Sequence, residues 1–146
     1  MSGRNQESFW AFNKLIYQFP DYKRIDEAHY SAFSQSLVIS LDDYIESIGN
    51  KYLNEKSFTK FRRVLSTQMA QYYLSHQKWD KFYAIAPEII LENSNDDYAV
   101  QVLLMLGGSY LQNADIIAMR AQFKNLWDQN KKTRITSDCI YWYALS

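Results

Sequence analysis

Cysteine is nearly missing from this chain. A single thiol, Cys139, among 146 residues excludes an internal disulfide framework and any thiolate zinc cluster. Two prolines and four glycines are too few for a many-turned sandwich or barrel, and they suit long helices. Net charge is also lacking, with sixteen basic and sixteen acidic side chains. Bulk electrostatics therefore gives no reason to bind nucleic acid or an anionic membrane. Histidine occurs twice, at His29 and His76, and neither stands in a metal-protease spacing. The segment Met1 to Glu7 has no apolar core of a signal peptide, so a cytoplasmic location is the expectation.

Aromatics are abundant instead, at 16% of residues with twelve tyrosines. Some of these suit a contact surface, where Tyr and Trp are favoured; a Tyr-rich core with wet hydroxyls is the alternative. Charge is uneven along the chain. Lys51 to Arg63 holds five basic residues and one acid, whereas Ser66 to Val100 holds two basic residues and five acids.

The longest apolar run is Asp97 to Leu111. Helical spacing puts Tyr98, Val102, Leu106 and Tyr110 on one face, while Leu104 and Met105 fall on others. A helix apolar nearly all round is central in a core or spans a membrane. This one is shorter than the roughly twenty residues a span needs, so it is expected to be buried at the centre.

The remaining chain reads as helices in series. Phe9, Phe12, Leu15 and Ile16 predict a helix from Glu7 to Gln18, ended by Pro20. Asp21 is a cap for a second helix through Leu37, although Leu37-Val38-Ile39 also suits a short strand. Ser40 offers a cap for a third helix, with Gly49-Asn50 as its stop. Ser57 is expected to cap a helix reaching Ser75. Trp79 to Leu91 is helical with a kink or restart at Pro87. Glu92 to Asp97 is the candidate boundary between halves. Asp115 caps a helix carrying Met119, Phe123 and Leu126, and the tail Ile140 to Leu145 fits helix or strand. The expectation is an all-α single domain over residues 1–146, either a multi-helix bundle or a short helical-hairpin solenoid, with six to eight helices.

Two segments superpose at an offset of 37 residues: Ala70, Tyr73, Leu74 and Trp79 match Gly107, Tyr110, Leu111 and Ile116. Over Ser66 to Asp128 the chain resembles a tetratricopeptide helical hairpin, with Leu106-Gly107, Tyr110 and Phe123 at that motif's spacing and Asp115 at its turn acid. A small residue lets two helices approach and the Tyr fills the space beside it. The pattern departs at Ala114, where the motif has glycine, at Phe82 and Met119, where it has a small residue, and in lacking a closing proline.

No catalytic set emerges. The acid pairs Asp26-Glu27, Asp42-Asp43 and Asp96-Asp97 are adjacent in sequence and so do not share a helix face. Gly107-Gly108 lacks the lysine and glycine pattern of a phosphate loop. His29 reads as a core histidine and Cys139 as a buried inert thiol. The expectation is a non-enzymatic protein-binding module without cofactor, metal or membrane: a small inhibitor, immunity protein or chaperone-like adaptor. Its partner would be another protein or a peptide segment. The partner-binding residues would be Lys56, Lys60, Arg63, Tyr72, Trp79, Tyr83, Tyr141, Trp142 and Tyr143, with a homodimer through the aromatic tail as a further option. The alternative is a DNA- or RNA-binding regulator using Lys51 to Arg63 as a basic helix, with Lys60 and Arg63 on phosphates or base edges.

Overall fold

The computed structural model describes residues 2–146. They form eight α-helices and no strand: α1 (Ser2–Gln18), α2 (Ile25–Val38), α3 (Asp42–Asn54), α4 (Arg62–Ser75), α5 (Trp79–Glu92), α6 (Asp97–Gln112), α7 (Ile116–Gln129) and α8 (Thr136–Leu145). The all-α expectation holds, and the 140–145 tail is helical. No described helix is long and apolar enough to cross a membrane. Contacts divide the chain into two units, Met1–Ser66 and Thr67–Ser146. The division falls inside α4 and not in the polar stretch at residues 92–97.

Several boundaries differ from the sequence reading, each for a physical reason. Asp21 caps nothing, because the chain makes two successive turns after Pro20 before α2 begins at Ile25. Ser40 is not a helix cap either; it adopts φ 55°. Of the Leu37-Val38-Ile39 strand alternative, Leu37 and Val38 are the end of α2 and Ile39 is its C-cap. Gly49 does not stop α3, which runs on to Asn54 with Gly49 buried. A buried glycine marks close approach of a neighbour as readily as a helix end.

The helix expected from Ser57 starts only at Arg62. Ser57 instead donates from its hydroxyl to Glu55 Oε1 at 2.7 Å. Residues 55–61 are held by Arg62, which donates to the carbonyls of Leu53 (2.8 Å), Glu55 (3.0 Å) and Phe58 (3.2 Å). These oxygens include orphans of the α3 C-terminus, so one guanidinium takes the place of a cap. The Phe61 N–H donates to Tyr52 Oη at 3.0 Å, and the Phe61 ring stacks on Tyr30 at 4.4 Å. Lys51 to Arg63 is therefore a helix end, a loop and a helix start, and the expected basic helix does not form.

The 37-residue offset is present in three places. Residues 40, 77 and 114 have φ of 55°, 55° and 53°. Around each, one set of hydrogen bonds recurs. Ser40 N–H donates to Leu37 O (3.3 Å) and Leu41 N–H to Ser36 O (3.0 Å). The Gln77 and Lys78 amides repeat this on Leu74 and Tyr73 (3.1 and 2.9 Å), and the Ala114 and Asp115 amides on Leu111 and Tyr110 (3.2 and 3.1 Å). This is the Schellman closure, with a left-handed residue just past the helix end. Each closure hands directly to the next helix: Ile45, Phe82 and Met119 donate back to Leu41, Lys78 and Asp115, each at 3.0 Å. The hairpins α2–α3, α4–α5 and α6–α7 thus share one joint.

Burial follows the same register. Ala28, Leu65, Val102 and Cys139 are interior at one position of the first helices. Ile45, Phe82 and Met119 are interior at one position of the second helices, as are Tyr52, Ile89 and Leu126. Buried Asn93 and Asn130, also 37 apart, each turn their Nδ2 onto a carbonyl of the helix just ended, Ile89 O at 2.8 Å and Leu126 O at 2.7 Å. Helix α1 follows the second-helix pattern at one residue less, with Phe9, Asn13 and Ile16 buried.

In the second unit α5 touches α6 and α7, and α8 touches α6 and α7. Helix α6 is entered through Asp96, whose carboxylate accepts from Tyr98 N–H at 3.0 Å and Ala99 N–H at 3.4 Å. Asp115 caps α7 by accepting from Ala118 N–H at 3.0 Å, as expected. Pro87 sits inside a continuous α5. Val102, Leu103, Leu106, Gly107 and Tyr110 of α6 are buried, but Leu104, Gly108 and Leu111 face solvent. The expectation that α6 is engulfed on all sides is therefore corrected: one face is open.

Candidate functional site

The open face of α6 continues onto α8. Trp142 lies across Gly107, so close that a Cβ on Gly107 would meet the indole at 2.5 Å. Trp142 also stacks on Phe123 at 5.8 Å. This anchor fixes α8 beside α6 and sets its rotation. Tyr143 then turns toward α7, 5.8 Å from Trp127 and beneath the Arg120 guanidinium at 5.0 Å. Tyr141 and Leu145 are left outside, along with Ile140.

Leu104 is 59% exposed and Tyr141 62%. They are 37 residues apart, hence at one position of successive first helices. Gly108 and Leu145 are the next such pair, and both are exposed. Leu111 completes the stripe on α6 at 44% exposure. A Cβ on Gly108 would have no atom within 4 Å, so an approaching backbone has room there. Two touching helices thus present one apolar face in matched register. Contiguous exposed apolar surface of this kind marks contact sites more often than scattered single residues do.

The second unit also holds an aromatic run at the α4–α5 and α6–α7 joints. Tyr83 stacks on Tyr110 at 4.7 Å and on Trp79 at 6.3 Å, and its hydroxyl accepts from Asn113 Nδ2 at 3.0 Å. Burial pushes the Tyr110 phenol up to about 12, so it stays protonated. Tyr72 is buried, with its hydroxyl accepting from Lys78 Nζ at 3.1 Å. Of the expected partner-binding aromatics, Tyr141 is exposed, Trp79, Tyr83 and Tyr143 are half-buried, and Tyr72 and Trp142 are interior. Leu104, Gly108 and Leu111 were not singled out, because an apolar stripe on an apolar helix has no sequence mark of its own.

In the first unit, Lys60 pairs with Glu27 at 2.6 Å, and Lys56 and Arg63 are exposed. Burial, the larger effect, together with Lys51 holds His29 down at about 4, so it is neutral at pH 7. His29 borders a cleft of about 630 Å³ together with Lys51, Glu55, Asn50, Asn54 and Phe58. Its Nδ1 is buried with no hydrogen-bond partner. An imidazole with no acid orienting Nδ1 is not set up as the base of a nucleophile relay. Cys139 is buried, and burial pushes its thiol up to about 11, far from the reactive thiolate.

Comparison with known protein families, curated proteins and solved structures finds no match to this chain.

Proposed function

We propose that the chain is a non-enzymatic protein-binding module that receives an amphipathic helix of a partner protein on the α6–α8 face. The observation that carries this is the pair Leu104 and Tyr141, both exposed at one repeat position on two helices in contact. Gly108 lies between Leu104 and Leu111 with open space above it, which suits the close approach of a helix. An apolar stripe laid into such a face is a recurring mode of helix recognition. The three joints 37 residues apart support reading the chain as a tetratricopeptide-like array, with a longer period than that motif's usual length of about 34. A small inhibitor, an immunity protein or a chaperone-like adaptor would each work through such a surface.

The test is selection of helical peptides from a displayed random library on the full chain. Enriched peptides should carry apolar residues three and four apart. Leu104→Glu and Tyr141→Glu should each weaken their binding roughly tenfold or more. Lys60→Ala and Arg63→Ala should leave it unchanged. Enrichment of no such peptides, or binding indifferent to both Glu variants, would sink the proposal.

A further inference from the structure

The cleft bordered by His29 plays no part in helix capture on α6 and α8. All the residues that line it belong to the first unit. Ile16, Pro20, Ile25 and Phe58 give it apolar surface, and Asn50 and Asn54, four residues apart on α3, give it amides. A concave apolar surface with a few convergent polar groups is the usual form of a small-molecule site. Its volume of about 630 Å³ lies within the usual range of roughly 300–1,000 Å³. His29 lacks a partner there. The residue is 3% exposed, and its Nδ1 is buried without a hydrogen bond. A buried polar atom left unpaired is costly, and a ligand that brings a polar group beside it removes that cost.

Charge decides what kind of ligand fits. With His29 neutral, the lining holds one cation, Lys51, and one anion, Glu55. They stand four residues apart, a spacing at which opposite charges ordinarily meet on a helix. Here each turns to a different partner. Lys51 places its Nζ 5.1 Å from the centre of the Tyr17 ring. Glu55 Oε1 accepts from the Ser57 hydroxyl at 2.7 Å and from the Ser57 amide at 3.2 Å. Those bonds hold the Glu55 carboxyl below its ordinary range, so it is ionised at pH 7. A lone anion would meet Glu55, and a lone cation would meet Lys51. A molecule with one charge of each sign at its two ends meets an opposite charge at both. Four residues of helix rise about 6 Å. An extended peptide gains about 3.3–3.6 Å per residue, so two or three residues cover that span, whereas a free amino acid holds both charges on one carbon.

We propose that the first unit binds a free zwitterionic peptide of two or three residues in this cleft. Its C-terminal carboxylate meets Lys51 and its N-terminal ammonium meets Glu55. An apolar side chain lies against Ile25 and Phe58, and a peptide group comes beside His29. Asn50 and Asn54 offer both donors and acceptors to the rest of its backbone. The cleft shares no residue with the Leu104–Tyr141 stripe, so the two bindings stand or fall separately.

Calorimetric titration of the full chain with the peptides Leu-Phe and Ala-Leu-Phe tests this. At least one should bind with a Kd of about 1 mM or tighter. In proton NMR the His29 ring signals should move with saturation while those of His76 stay in place. Acetylating the N-terminus or amidating the C-terminus should each weaken binding roughly threefold to fivefold, the scale of an exposed ion pair. Lys51→Gln should abolish the effect of amidation alone, and Glu55→Gln the effect of acetylation alone. A merely structural role for either side chain would not produce that pairing. Unchanged helical circular dichroism shows that both variants fold. Absence of binding by both peptides up to about 10 mM, binding indifferent to both blocked ends, or free phenylalanine binding as tightly as Leu-Phe would each overturn the proposal.

Discussion

A methyl group added at Gly107 and one added at Gly108 should move stability in opposite directions. Both residues lie within α6, where alanine is favoured over glycine by about 1 kcal/mol. At Gly108 nothing stands within 4 Å of the new carbon, so Gly108→Ala should gain about 0.5–1 kcal/mol. At Gly107 the new carbon falls 2.5 Å from Cδ2, Cε2 and Cε3 of Trp142. These are atoms of a rigid ring pinned against Phe123, so relief requires α8 to move and not merely a side chain to rotate. Overpacking of this kind costs about 1–3 kcal/mol, and the helix preference offsets part of it. Gly107→Ala should therefore lose up to about 2 kcal/mol net and fall below Gly108→Ala in any case. Urea unfolding followed by circular dichroism measures both, and tryptophan emission should shift in Gly107→Ala alone. A Gly107→Ala chain as stable as Gly108→Ala would refute the view that Trp142 on Gly107 sets the place of α8.

Two other perturbations address the joints and the buried histidine. Ser40, Gln77 and Ala114 hold left-handed backbone without being glycine, at a cost of about 1–2 kcal/mol each. Changing each to Gly should stabilise the fold by up to about 1 kcal/mol, and loss of stability at any of them by thermal unfolding would break the equivalence of the joints. For His29 the folded pKa is near 4 against 6.5 when unfolded, so between these values the unfolded chain binds the proton first. Stability should thus be complete above pH 6.5 and fall by about 3 kcal/mol as pH drops to 4. That slope should shrink in His29→Gln; an unaltered slope in denaturant titrations would place the acid sensitivity elsewhere.

Much of the helical order was legible because local chemistry and burial agreed. Asp115 is a good cap placed just before an apolar period, and it acts as one. Two of the three joints were visible as a match at 37 residues. The third was hidden because Leu37-Val38-Ile39 carries apolar residues straight through the helix end, and Ser40 is not a residue expected in left-handed backbone. The start of α4 was misplaced for a similar reason. Phe58 and Phe61 keep helical spacing while standing in a loop, where they pack against His29 and Tyr30. Apolar period reports burial, and a loop held by Arg62 can bury its aromatics as a helix does. The open face of α6 was illegible because direction around a helix buried on most sides is decided by its neighbours.

Side-chain size is free to vary at the shared positions, as Gly49, Ala86 and Phe123 show at a single site of the second helices. The joints, by contrast, are alike in backbone. A chain built this way has natural places to be cut and spliced. Removing the 37 residues between two left-handed positions would rejoin like with like, whereas a deletion a few residues longer or shorter would turn every later helix off its mark. Change in length should therefore come in whole periods, and single-residue insertions should be borne only in stretches such as residues 55–61 that lie outside the joints.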